Sequence, residues 1–159
     1  MSITRHEARH QALNVMFAAD VRGVSASTLL EKTGGTSPVS GPVSTDAKIM
    51  IALYEDNRKA IDRMIASHAD GWMLKRLAGV DRNAMRLAIA EMAFGDVPFE
   101  VAINEAVNLV GELGGPESPR FVNGVLGAIQ RELQARDEES ATASVEEADS
   151  TDLEPSGED

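Results

Sequence analysis

The chain has 159 residues, 26 acidic and 15 basic side chains, no cysteine and a formal charge of −11. The length fits one domain. Without cysteine there is no disulfide, thiolate zinc site or cysteine nucleophile, and 43% apolar residues are enough for a core. Spread evenly, that charge would argue against a nucleic-acid binder.

The charge is not spread evenly. Residues 137–159 hold ten acids and no Lys or Arg, while residues 1–136 keep 16 acids against 15 bases, a net of −1. The segment from Asp137 has only Val145 and Leu153 as large apolar residues. It cannot offset its ordering entropy and is expected to be a disordered acidic tail. Such a tail either keeps the protein soluble or competes with anions for a basic site. The expected division is therefore a helical body over 1–136 and a tail over 137–159. No run approaches the roughly 18 apolar residues of a membrane span. The first ten residues lack a secretory h-region. Both point to a soluble cytoplasmic protein.

In chain order, Leu13, Met16, Phe17 and Val21 recur at helical spacing within Thr4 to Arg22, and Gly23 ends that helix. A short helix fits Ser25 to Lys32. Thr33 to Pro42 reads as a loop. From Asp46, a helix carries Ile49, Leu53, Ala60, Ile61, Met64, Ile65 and His68 as its stripe. Trp72, Met73 and Leu77 suggest a shorter helix ended by Gly79. Asp81 is expected to cap the next helix, whose stripe is Met85, Ala88, Ile89, Met92 and Ala93. Gly95 to Pro98 breaks the chain. Val101, Glu105, Val107, Val110 and Leu113 mark another helix, ended by Gly114-Gly115-Pro116. Ser118 and Pro119 suit the start of a last helix, with Phe121, Val122, Val125, Leu126, Ile129 and Leu133 inside. No stretch alternates with period two, so no sheet is expected. The fold class is all-α, a compact bundle of about seven helices.

No nucleophile elbow, phosphate-binding glycine loop or dinucleotide fingerprint is present, so the chain does not read as an enzyme. His6 and His10 have metal-ligand spacing but no third ligand, and neither metal nor cofactor is called for. Glu91, Glu100, Glu105 and Glu112 are expected on solvated helix faces. Arg5, His6, Arg9 and His10 fall within six residues. Arginine is the wrong charge for a helix start, so this basic arm invites an anionic partner. Ser118 and Arg120 stand where free N–H groups can hold phosphate. Gly124 and Gly127, inside an apolar helix, suggest close helix packing. Phe99, after Pro98, is a core anchor or an exposed hot spot.

Four blocks carry a resemblance. D-V-P-F-E-V-A-I-N-E-A-V-N-L (Asp96 to Leu109) and F-V-N-G-V-L (Phe121 to Leu126) resemble the two most recognisable blocks of the bacterial transcription antitermination factor NusB family. V-D-R-N-A-M-R-L-A-I-A-E-M (Val80 to Met92) and A-R-H-Q-A-L-N-V-M-F-A-A-D (Ala8 to Asp20) are similar to its middle and first blocks. The resemblance covers about residues 5–135. It implies two small helical bundles and no catalysis. It also implies a partner, the small-subunit ribosomal protein NusE, and single-stranded boxA RNA of ribosomal leaders as the joint target. The outcome would be read-through by RNA polymerase in an antitermination complex.

By position, the resemblance assigns RNA to Arg5 and Arg9 of the arm and to Glu117, Ser118 and Arg120; His6 and His10 join the RNA-binding candidates as members of the same basic arm. It assigns the ribosomal protein to Phe17, Val21, Asp81, Pro98 and Phe99. Two departures stand out. The arm is less basic than is usual in the family, and Ala90 replaces an aromatic residue before Glu91. The sparse arm keeps a second reading open, a helical protein–protein adaptor with little intrinsic RNA binding.

Overall fold

The computed structural model describes residues 3–37, 39, 41–69 and 74–150. Among these it has seven α-helices: α1 (Arg5–Arg22), α2 (Ala26–Lys32), α3 (Thr45–Asp56), α4 (Arg58–His68), α5 (Gly79–Ile89), α6 (Phe99–Leu113) and α7 (Ser118–Ser150). A 3-10 turn spans Leu74–Arg76 and a π-helical turn spans Ala90–Phe94. Among the described residues the chain is all-α apart from one minimal hairpin.

Local chemistry sets the helix ends. Thr4 Oγ1 accepts the Glu7 N–H at 3.1 Å and the Thr4 N–H donates to Glu7 Oε2 at 2.9 Å, a reciprocal box at the start of α1. Gly23 ends α1 at φ 68°, a left-handed position that suits glycine. Ser25 and Ser44 cap α2 and α3 with their hydroxyls.

The core is one continuous cluster. α5 joins its two halves, packing on α1 and α3 and also on α4, α6 and α7. The two implied bundles thus share a central helix, whose Ala84, Met85 and Ile89 are fully enclosed.

Several expectations need correction. The stripe from Ile49 to His68 is two helices, because Asn57 departs from helical geometry at φ −122°, ψ 18° and its side-chain amide donates to the Leu53 carbonyl. Ile49 is exposed. Thr36–Ser37 pairs antiparallel with Gly41–Pro42, a hairpin too short for alternation to reveal. Gly79 begins α5 instead of ending a helix, so Asp81 lies inside the first turn and is not its cap. Trp72 and Met73 lie outside the described residues.

α7 does not stop where the acidic tail begins. Asp137 to Ser150, expected to be disordered, continues the helix, which Ala and Glu favour. Gln134 to Val145 are all exposed, so this stretch buries nothing, in keeping with its lack of apolar residues. Residues 151–159 lie outside the described residues.

Candidate functional site

The start of α1 faces a strip of α6 and the π-helical turn, and its basic residues do not behave alike. Arg5 is exposed, with Nη2 3.7 Å from Glu91 Oε2. Arg9 is 4% exposed. Its Nε and Nη2 each donate to Glu91 at 2.7 Å, a bidentate pair in the interior. The two arginines of the basic arm thus differ: Arg9 sits on the same stripe as Leu13 and Met16, and Arg5 stays outside it. Glu91, expected on a solvated face, is its buried counter-charge.

The histidines turn towards α6. His6 Nδ1 lies 2.8 Å from Glu105 Oε2, and Nε2 lies 3.7 Å from Glu112. Hydrogen bonding to Glu105, aided by the nearby Glu112 charge and opposed by burial, raises the His6 pKa above its ordinary value. His10 Nε2 lies 3.8 Å from Glu112, and its Nδ1 accepts from the Asn14 amide at 3.2 Å. Both histidines therefore have carboxylates as neighbours. Among the described residues no cluster of three or more His, Cys, Asp or Glu side chains could hold a metal.

Glu112 is two residues from the α6–α7 corner, so the arm and the corner adjoin. At the corner, Glu117 and Arg120 are exposed. Ser118 is buried, and its Oγ accepts the Gly115 N–H at 3.1 Å. Its hydroxyl fastens the loop. From Arg120 a groove of about 660 Å³ runs between α4 and α7 past Ser67, His68, Phe121 and Gly124. A Cβ on Gly124 would meet nothing within 4 Å, and on Gly127 its nearest neighbour would be Arg131 Nη1 at 3.7 Å. Neither glycine serves close helix packing, contrary to expectation.

The residues assigned to the ribosomal protein form two groups. Phe17 is 39% and Val21 71% exposed. The Phe17 ring covers Gly79, where a Cβ would lie 2.8 Å from Cε2. Two residues on, Asp81 is buried, and its Oδ1 has no hydrogen-bond partner among the described residues. A desolvated carboxylate oxygen of this kind gains from an incoming donor. The second group lies about 18 Å along α1, at 1.5 Å per residue. There Arg5, Arg9, Asp96, Val97, Pro98 and Val101 line a concavity of about 480 Å³. Pro98 is exposed, and Phe99, half-buried, packs against the core. The arm and the loop around Pro98 therefore share one concavity.

The profile described as the NusB family matches residues 6–131. The chain belongs to the NusB family. The transcription antitermination protein NusB of Saccharopolyspora erythraea is 45% identical over 127 residues, covering 79% of this chain and 85% of that protein. Its counterpart in Thermobifida fusca is 37% identical, covering 79% and 88%. Among solved structures, T. maritima NusB superposes with a TM-score of 0.71 at 32% identity, covering 83% of this chain and 94% of that one. A complex of the antitermination factors NusB and NusE with double-stranded RNA contains a chain that matches at TM-score 0.65 and 27% identity, covering 82% and 99%.

What the sequence reading missed in this NusB fold are Glu91 and Glu105, which organise the arm. Glu91 interrupts the apolar run from Leu87 to Phe94, and a lone acid in such a run signals a buried counter-charge.

Proposed function

We propose that this chain is a transcription antitermination factor, not an enzyme, that binds single-stranded boxA RNA of nascent ribosomal leaders together with NusE and promotes read-through by RNA polymerase. The observation that carries the reading is the match, over most of both chains, to a NusB chain in a complex with NusE and RNA. The site geometry supports it: Arg5, Glu117 and Arg120 are exposed at adjoining corners of the body. RNA lies across the arm and this corner, and the ribosomal protein takes Phe17, Val21, Asp81 and the Pro98 loop. A factor that acts on nascent bacterial transcripts acts in the cytoplasm; among the described residues no helix is long and apolar enough to cross a membrane.

Intrinsic affinity should be weak. With Arg9 buried, few phosphates are neutralised, and each contact is salt-sensitive. Unpaired bases suit sequence-specific recognition, and a second protein supplies the surface this chain lacks. The same burial of Arg9 favours the second reading, an adaptor that contributes little RNA contact of its own. Titrating boxA RNA into the chain with and without NusE separates the two. Tighter RNA binding with NusE, weakened further by Arg5→Glu, supports the factor. NusE binding unaffected by RNA supports the adaptor, and no binding of either partner defeats both.

A further inference from the structure

Glu91 belongs to neither exposed surface, yet both rest on it. Its carboxylate is 4% exposed and takes both hydrogen bonds from Arg9. Arg5 reaches the same carboxylate at 3.7 Å, and Arg9 Nη1 lies 3.9 Å from Glu105, the residue that holds His6. Three of the four basic residues of the arm are thus tied, directly or through Glu105, to one buried acid.

The main chain of Glu91 faces the other way. Its carbonyl accepts the N–H groups of Gly95 at 3.1 Å and Val97 at 3.4 Å, closing the π-helical turn and directing the chain into Pro98. A Cβ at position 95 would lie 2.9 Å from that carbonyl, so glycine is what allows the turn to close so tightly. π-helical turns of this kind are rare and concentrate at functional positions.

We propose that Glu91 is a positioning residue that couples the two surfaces: its side chain holds the basic arm and its main chain holds the Pro98 loop. This rests on the proposed function. A protein partner seated against Val97, Pro98 and Val101 restrains the turn, and through Glu91 and Arg9 it restrains the first turn of α1 and Arg5. Single-stranded RNA then meets an arm that is already ordered, so less of its binding free energy goes into ordering it. By linkage, RNA strengthens partner binding by the same factor.

The test measures the Kd of a single-stranded boxA oligonucleotide with and without NusE, for the full chain and for the paired variant Arg9→Met with Glu91→Met. Replacing both charges with apolar groups of similar size leaves no buried unpaired charge, so the fold is retained, as thermal melting checks. The readout is the ratio of the two Kd values. The ratio for the unmodified chain should exceed that of the variant by about fivefold or more, the low end of typical coupling. A merely structural role lowers the folded fraction, changes both Kd values together and leaves the ratio intact. A folded variant whose ratio stays within about twofold of the unmodified chain overturns the proposal, twofold lying well below such coupling. If the unmodified chain binds both partners without any gain, this inference falls and the adaptor reading is favoured over the factor. If it binds neither, the proposed function falls with it.

Discussion

Two sets of interior charges use the same chemistry to different ends. At the seam of α1, α3, α4 and α5, Arg86 donates to Asp62 at 2.8 and 3.0 Å and to Asp20 at 3.1 Å, with Arg82 and Asn83 completing Asp20. The Tyr54 hydroxyl donates to Asp62, and its ring lies 5.1 Å from the Arg86 guanidinium carbon. Burial alone would raise the Asp20 pKa, but the Asn83 amide and the two guanidinium groups hold it below the ordinary value. That set is closed in charge, each guanidinium answering a carboxylate, although it borders a cavity of about 660 Å³. The set around Glu91 is built alike but is open at one side, since Arg5 and His6 reach solvent. A closed set can only stabilise; an open one can also receive an anion.

The sharpest way to break the comparison is to remove the central arginine of the closed set. Arg86→Ala leaves Asp62 without its cationic partner, while Asp20 keeps Arg82 and Asn83, and should cost about 3 kcal/mol in chemical denaturation, the low end for a broken interior pair. It should also reduce the stability that depends on Asp20 ionisation, since Asn83 and Arg82 still favour the charged form. Because the folded pKa is lowered, that contribution is present above the ordinary carboxylate range and lost as pH falls through the lowered value. A loss under about 1 kcal/mol would put the set among surface pairs in strength.

The open set predicts smaller, ligand-dependent effects. Arg5→Ala should leave the melting temperature nearly unchanged. It should make the log–log salt dependence of RNA binding shallower by about 0.7, the contribution of one phosphate on a single strand. An unchanged slope would remove Arg5 from the RNA contacts. The mildest effect concerns His6. Its NMR titration should lie above the ordinary histidine value and drop in Glu105→Gln. Here the sign is opposite to Asp20: the contact is fully present below the ordinary value and lost as pH rises through the raised one. A coincident titration in the variant would mean that Glu105 does not hold the ring.

Most helix boundaries were legible because capping is local. Gly23 and Pro98 mark element ends in any context. The burial of Arg9 is not legible from large apolar residues, which begin on α1 only at Leu13, although Ala8 and Ala12 are fully buried beside it. Small residues carry little hydrophobic signal but define a contact face as firmly as leucine does. Glu91 was misread for the converse reason: its pair with Arg9 spans 82 residues, and sequence spacing along one helix says nothing about such a partner. The π-helical turn, which is a matter of hydrogen-bond geometry, has no compositional mark at all. By contrast the exposed corner at Glu117 and Arg120 was readable, because proline and glycine announce it.

The 33 residues of α7 span about 50 Å at 1.5 Å per residue. Asp137, 19 residues beyond Ser118 at the corner, therefore sits about 28 Å away along the helix, and the acids after it on α7 lie farther still. At physiological ionic strength a charge fades over about 8 Å. An RNA strand on the arm thus experiences the nearly neutral body, while two copies approaching end-on meet the acidic helices first. Held out this way, the acids from Asp137 to Asp149 act as a bumper between molecules, beyond screening range of the corner.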